Sequence, residues 1–371
     1  MYVFSKMKSK NQIMYDSQYC PEVSIIISAY NEEDVIEKKI LNSLSLDYPR
    51  EKLEILVVSD GSTDKTDEIV TKIATKEKQV RLLRLSGRSG KTLGLNQGVH
   101  HAKGKIVVFS DANAIYDRNA IKELVKYFVD ERVGFVVGHA IYHDEDNPAA
   151  QNEGLYWKYE TLLKELESRF HSVCVGDGAI FAIRKELYEN LEPDDIGDFA
   201  TPLIIAAKGY LGIFNPQAKC FEKAAGDFQK EFYRKRRIVN RSFRAFRKYV
   251  GRFDWISQFN FIFELFSHKI LRWFNWLLIL TLIISNVLLV VLSPSPFYNT
   301  LLILQAILGL ATFMGGFAIL KGQELPSYLS LPFYFSSSHL AALLGIIDDL
   351  RGEKYVTWSH VRETNHSGEE L

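Results

Sequence analysis

The chain has 371 residues, long enough for more than one domain and a sizeable core. Lys+Arg and Asp+Glu balance at 45 each, which gives no reason to expect a nucleic-acid partner. Three cysteines (Cys20, Cys174, Cys220) lie far apart with no metal-ligand spacing, so they read as isolated thiols in a reducing compartment.

The first stretch, MYVFSKMKSKNQIMYD, has no apolar core of signal-peptide length, so the globular part is expected to stay in the cytoplasm. Residues 21–110 then alternate strand and helix signals. VSIIISAY is a buried strand and NEEDVIEKKILNSL a helix with acids in its first turn. EILVVSD is the next strand, and STDKTDEIVTKIA a helix with Ser62 or Thr63 as its N-cap. VRLLRL is a third strand, GKTLGLNQGVHHA a third helix, and KIVVFSD a fourth strand. Such alternation implies a mostly parallel sheet covered on both faces. A helix near Asn119–Asp130, the strand VGFVVGHAIY and a long amphipathic helix over 151–172 with Tyr156, Trp157 and Tyr159 come next. VGDGAIFAIR, a loop at PDDIGDF, and TPLIIAAKGYLGIF complete the α/β domain near Phe221.

Basic residues crowd Lys230 to Arg252. FDWISQFNFIFELFSH then mixes aromatics with polar groups as an interfacial helix does. Trp273–Leu292 and Leu301–Leu320 carry no charge and are each long enough to span a bilayer. Lys269, Arg272 and Lys321 flank the pair on one side, which the positive-inside rule places in the cytoplasm. The alternative is a buried helical hairpin of a soluble protein. A third segment, about Tyr328–Ile347, is interrupted by Pro332 and SSSH; it either spans or lies in the interface, and a cytoplasmic tail favours the interface. The domain reading is an N-terminal tail (1–20), an α/β domain (21–250), an interfacial helix (251–270), membrane helices (271–347) and a cytoplasmic tail (348–371).

Two carboxylates stand at strand ends. Asp60 ends EILVVSD and Asp111 ends KIVVFSD, and in open α/β sheets ligands bind beyond the carboxyl ends of the strands. Asp60 precedes Gly61-Ser62-Thr63, a short turn whose backbone N–H groups favour anions; alternatively Asp60 only caps a helix. At Ala29-Tyr30-Asn31-Glu32, Tyr30 suits stacking on a base and Glu32 suits a ribose hydroxyl, while Asn31 and Glu32 also suit a helix entry. Gly90-Lys91 superficially suggests a phosphate-binding P-loop, but its required spacing fails. Arg88 and Lys91 suit phosphates, or a solvated basic loop.

The ordered set SAYNEE, SDGSTDKT, GKTLGLN, SDAN, GDGA, GDF and RKRRI resembles the family 2 glycosyltransferases of the Rossmann-like GT-A fold. Bacterial cellulose and hyaluronan synthases are distant, larger relatives in that family. The resemblance covers roughly residues 21–245, and the apolar hairpin also resembles members that build extracellular polysaccharides. It implies that Ala29, Tyr30, Asn31 and Glu32 hold the base and ribose of a nucleotide-sugar, that Asp60 meets its uridine, and that Lys91 lies near the donor. It implies that Asp111-Ala112-Asn113 stands for the metal-binding DxD, with Asp111 and Asn113 on Mg²⁺ or Mn²⁺. Asn113 replaces the usual second Asp, so the diphosphate supplies more of the ligands.

The resemblance assigns Gly176, Asp177 and Gly178 to the acceptor site, where small residues permit close approach of a sugar; a plain turn is the alternative. Asp198, followed by an apolar helix ending in Gly-aromatic, matches the general base of inverting transfer. Asp194 and Asp195 are its understudies, and capping of the following helix is the other reading. Arg237 matches the arginine of the processive synthases' QxxRW, and Arg234 and Ile238 replace its glutamine and tryptophan. Arg234 and Arg237 thus suit the leaving diphosphate, whereas the lost tryptophan argues against processive elongation. Some of Arg241, Arg244, Arg247 and Lys248 suit anionic lipid headgroups. Lys354-Tyr355-Val356-Thr357-Trp358 with Arg362 resembles the segment that closes over the donor in membrane synthases.

The expectation is therefore a metal-dependent, membrane-anchored, inverting glycosyltransferase of the hexosyl or N-acetylhexosaminyl class. It would sit in the cytoplasmic membrane with its catalytic domain inside, moving sugar from a UDP-sugar to a glycan or lipid-linked acceptor. A processive synthase needing export partner proteins, and a non-catalytic scaffold subunit, are the alternatives.

Overall fold

The computed structural model describes residues 13–143, 148–223, 228–323 and 325–356. Residues 1–12 of the N-terminal tail, and Thr357, Trp358 and Arg362, lie outside the described residues.

Four strands form the parallel half of the sheet: β1 (Val23–Ala29), β2 (Leu53–Ser59), β3 (Val80–Arg84) and β4 (Ile106–Asp111). β1, β2 and nearly all of β4 are buried, as strands covered on both faces must be, and they read accordingly as near-continuous Val/Ile/Leu runs. Side chains alternate between faces: Ile25 and Ile27 join one core cluster and Ile26 the other. Helices α1 (Ile36–Leu44), α2 (Thr66–Ala74) and α3 (Lys91–His101) connect these strands.

The second half of the sheet is mixed. It contains β5 (Ile115–Tyr116), β6 (Val133–His143), β7 (Phe181–Arg184) and β8 (Leu211–Lys223), in the overall order β3-β2-β1-β4-β7-β6-β8-β5. β7 runs antiparallel to both β4 and β6, and β6 runs parallel to β8. The mostly parallel α/β sheet is therefore present, with antiparallel strands inserted beyond β4. Helices α4 (Ala120–Val125), α5 (Pro148–Phe170) and α6 (Gly197–Ala207) accompany this half.

A second layer follows. Helix α7 (Phe228–Tyr249) leads to α8 (Phe259–Leu265), a π turn (Phe266–Ile270) and a short helical turn (Leu271–Trp273). α6, α7, α8 and the last helix share one apolar cluster, centred on Phe199, Leu203, Phe243 and Trp273. Helices α9 (Asn275–Leu292), α10 (Pro296–Leu320) and α11 (Ser327–Leu350) are each long and apolar enough to cross a membrane. α9 and α10 leave large apolar side chains exposed, among them Leu292 at 78% and Phe313 at 72%. Asn286 of α9 bonds within the hairpin, its Nδ2 donating to the Tyr298 carbonyl and to Gln305 Oε1.

Two local expectations are corrected. The third apolar segment is one unbroken helix: Pro332 sits in its first turns, and Ser338 and His339 bond carbonyls four residues back. α11 is also docked on the α/β domain, because Arg236 grips Asp348 bidentately at 2.5 and 2.7 Å and Arg244 Nε stands 2.7 Å from Asp349. Finally, neither Ser62 nor Thr63 caps α2. That helix starts after Lys65, and Asp64 Oδ1 instead accepts from Thr66 N at 3.0 Å.

Candidate active site

Register brings the strand ends together. Ala29 pairs with Ser59, and Ser28 pairs with Asp111, so Tyr30, Asp60 and Asp111 leave the sheet along one edge. At this edge the turns are laced to one another. Asn31, at φ 54°, does not cap α1; its Oδ1 accepts from Thr63 N at 2.8 Å, and its own N–H donates to Ser62 Oγ. Glu32 N–H donates to Thr66 Oγ1 at 2.8 Å. The Arg88 guanidinium lies 4.1 Å over the ring of Tyr30, so Tyr30 already stacks on a cation.

Asp60 is buried. Its two oxygens accept from Ser89 N at 2.6 Å and Gly90 N at 2.8 Å, which ties the end of β2 to the start of α3 rather than to the helix that follows it in sequence. Gly90 has φ +91°, a backbone state that favours glycine, and a Cβ on it would stand 2.9 Å from the Val356 carbonyl. The chain's last described residues therefore return to the strand edge. Lys354 pairs with Asp194 at 2.8 Å, and Tyr355 OH donates to Asp348 at 2.9 Å.

Lys91, the first residue of α3, is ion-paired with Asp111 Oδ1. Burial tends to lower its pKa, but Asp111, Asp198 and Glu222 hold it above the ordinary lysine value. A Cβ added to Gly178 would meet Lys91 Nζ at 3.4 Å, Asp198 Oδ2 at 3.8 Å and Asp111 Oδ2 at 3.9 Å. The three charged groups thus border one small space, kept open because Gly178 has no side chain. Gly176 N–H donates to the Asp198 carbonyl at 2.7 Å, which fastens the glycine loop to α6.

Asp198 differs from its neighbours. Asp194 pairs with Arg244 and Lys354, and Asp195 accepts from Lys248 at 2.9 Å and Tyr249 OH at 2.7 Å. Among the described residues the Asp198 carboxylate has no hydrogen bond or ion pair, and it does not cap α6, whose first residue is Gly197. Burial raises its pKa, with Asp177 and Asp111 adding and Lys91 and Arg241 opposing. Asp177 is paired with the buried Lys164 at 3.2 Å.

On α7, Arg234 is held bidentately by Glu231 at 2.6 and 3.0 Å. Arg237, one turn on, has no hydrogen bond or ion pair among the described residues. Burial lowers its pKa to about 10, helped by Arg241 and Arg234 and opposed by Asp198. Of the remaining cations, Arg241 and Arg244 point inward, while Arg247 and Lys248 stay exposed beside the acids they meet. Arg241 donates to Thr92 Oγ1 at 2.9 Å and to the Asp195 carbonyl. Arg244 and Arg247 meet Asp349, and Lys248 meets Asp195.

Two side chains that sequence reasoning missed support the site. Lys39 of α1 is fully buried, with Nζ 2.5 Å from the Ala114 carbonyl and 3.7 Å over the Tyr116 ring, directly behind Asp111-Ala112-Asn113. Ile36, Ile40 and Ser43 repeat on its helix face, and that period was the available signal. Lys164, on α5, carried no comparable signal.

Residues 24–192 match the family model described as Glycosyl transferase family 2. The probable glycosyltransferase YdaM of Bacillus subtilis is 28% identical over 259 residues, 66% of this chain and 61% of that protein. A beta-monoglucosyldiacylglycerol synthase of Nostoc sp. is 36% identical over 130 residues, 34% of this chain and 28% of that protein. A poly-beta-1,6-N-acetyl-D-glucosamine synthase of Staphylococcus aureus is 35% identical over 219 residues, 54% of this chain and 49% of that protein. The chain thus spans less than two thirds of the length of these curated relatives. In fold, it is similar to the solved mannosyltransferase PcManGT of Pyrobaculum calidifontis, in complex with GDP-Man and Mn²⁺. That likeness has a TM-score of 0.71 at 24% identity and covers 95% of this chain and 94% of the other.

Proposed function

Starting from a chain whose residues 24–192 form a family 2 glycosyltransferase domain, we propose that it is an inverting glycosyltransferase anchored in a membrane by α9 and α10. The observation that carries the catalytic reading is the shared space at Gly178, bordered by Asp111, Lys91 and an Asp198 whose carboxylate has no partner among the described residues. Inverting transfer needs a lone carboxylate to take the acceptor's proton on one side of the anomeric carbon, and cations for the leaving diphosphate on the other.

In this reading Asp198 accepts the proton of an acceptor hydroxyl as that oxygen attacks the anomeric carbon. Burial, which raises its pKa, makes it a stronger base. Arg237 and Lys91 receive the negative charge that develops on the departing nucleoside diphosphate. Arg237 suits this because it is a crowded guanidinium with no paired anion among the described residues. The Tyr30–Glu32 turn and Asp60 shape the nucleoside end, and Gly176, Asp177 and Gly178 the acceptor end.

A divalent cation fits the residues at Asp111. Asp111 and Asn113 offer hard oxygens from one turn but no closed cage, which suits Mg²⁺ or Mn²⁺ that keeps phosphate oxygens and waters as ligands. When bound, such an ion would neutralise the diphosphate. The acceptor is a hydroxyl of a lipid-linked or glycan molecule at the membrane face, because α11 joins the apolar helices to α7, which carries Arg237.

Purified full-length protein, offered UDP- and GDP-sugars with lipid and glycan acceptors, tests this. Release of nucleoside diphosphate that stops with chelator, returns with Mn²⁺ or Mg²⁺, and is lost in Asp198→Asn is the expected result. Binding of nucleotide without turnover of any donor would leave a scaffold subunit instead.

A further inference from the structure

Outside this space, among the described residues, one buried cluster is built from groups that bind metals. One face of α5 carries Glu160, Lys164 and Glu167, all buried. The π turn Phe266–Ile270 presents His268 to two of them: Nδ1 stands 2.5 Å from Glu167 Oε1 and Nε2 stands 3.2 Å from Glu160 Oε2. Cys174 completes the group, with Sγ 2.9 Å from Glu167 Oε1 and 3.7 Å from His268 Nδ1. One atom from each of Glu167, Cys174 and His268 lies within 4.8 Å of the others, and all three side chains are buried.

We propose that Glu167, Cys174 and His268 form a zinc site, separate from the cation at Asp111, that fastens the catalytic domain to the helices entering the membrane. A thiol, an imidazole and a carboxylate form a zinc donor set, and the sulfur makes Mg²⁺ and Ca²⁺ poor occupants. The 3.7 Å gap between Sγ and Nδ1 is close to the roughly 3.5 Å that two tetrahedral zinc ligands subtend. The two contacts of Glu167 are at hydrogen-bond length. Metal entry therefore replaces two protons and widens each contact by less than about 1 Å. The second ring nitrogen of His268 faces Glu160, which Lys269 at 3.2 Å and Arg272 hold in turn. That carboxylate–imidazole pairing is the usual support of a metal-bound histidine.

Cys174 lies two residues before Gly176, so the ion would also steady the glycine loop.

Full-length protein purified in mild detergent without chelators is expected to hold about one zinc per chain by elemental analysis. Cys174→Ser and His268→Gln should each fall below about a tenth of that, while Cys20→Ser should not change. Cobalt substitution should give a thiolate-to-cobalt absorption band in the near ultraviolet, absent from Cys174→Ser. Wild-type protein that holds no zinc after loading and dialysis, and gives no cobalt band, overturns the site and leaves a hydrogen-bonded triad. Zinc retained in Cys174→Ser also overturns it. If the variants fail to fold, the wild-type stoichiometry and cobalt band decide.

Discussion

Asp111 and Asp198 converge on one point: their Oδ2 atoms stand 3.9 and 3.8 Å from where a Cβ on Gly178 would be. Gly178→Val fills that point. Its φ lies outside the positive range and no backbone atom is in the way, so the fold should persist. Turnover is expected to fall about 100-fold through displacement of the acceptor. Binding of nucleoside diphosphate, measured by calorimetry with Mn²⁺, should change little.

Asp198→Asn should lower kcat by about 10²–10⁴-fold, the usual contribution of a general base, with nucleotide binding retained. It should also stabilise the protein at neutral pH. A carboxyl whose folded pKa is raised binds its proton more tightly in the folded state, so the wild type loses stability as pH rises from below 3.8 through the raised value. The melting-temperature advantage of the Asn variant should therefore vanish under acid. For the same reason, activity should fall as pH drops through the Asp198 pKa.

Arg237→Met separates binding from stability. Removing a crowded cation that has no partner among the described residues should leave the melting temperature unchanged or raised. Weaker binding of nucleoside diphosphate by about 1.5–3 kcal/mol is expected from loss of a charge-assisted contact. Arg234→Met, which leaves the buried Glu231 with only Lys235, at 3.7 Å, among the described residues, should instead lower the melting temperature.

Lys39 is held at a pKa of about 7, mainly by burial, against the pull of Cys220, Glu222 and Asp111. Between that value and the ordinary 10.5 the unfolded chain binds more protons than the folded one, so stability should rise with pH across this window. Lys39→Met should flatten that part of the stability–pH curve. An unchanged slope in chemical denaturation would remove the assignment.

Gly90→Ala imposes a positive φ on an L residue, at about 1–2 kcal/mol, and pushes on the Val356 carbonyl. Its effect on donor KM should shrink in a chain truncated after Arg351, leaving the backbone strain alone. Additive effects would mean that the tail does not bear on the donor edge.

How much of this was legible varies by element. The alternating strands and helices of residues 21–110, and the acids at the ends of β2 and β4, are local features. Hydrophobic period and turn chemistry act within a few residues, and parallel pairing then aligns the strand ends. The long apolar helices were legible for the same reason. Partner choice was not. Asn31 looked like a cap and instead laces two turns. Arg241, Arg244, Arg247 and Lys248 included candidates for lipid headgroups, and Arg244, Arg247 and Lys248 meet Asp349 and Asp195.

Composition and period in this chain determined an α/β sheet with carboxylates at one edge and apolar helices after it. Only the tertiary structure decided which of Asp194, Asp195 and Asp198, and which arginine of α7, has neither a side-chain hydrogen bond nor an ion pair among the described residues, and that Cys174 meets His268. Those outcomes depend on charges brought together from distant stretches of chain, where burial makes each pairing or its absence costly. No pattern of neighbouring residues records that balance.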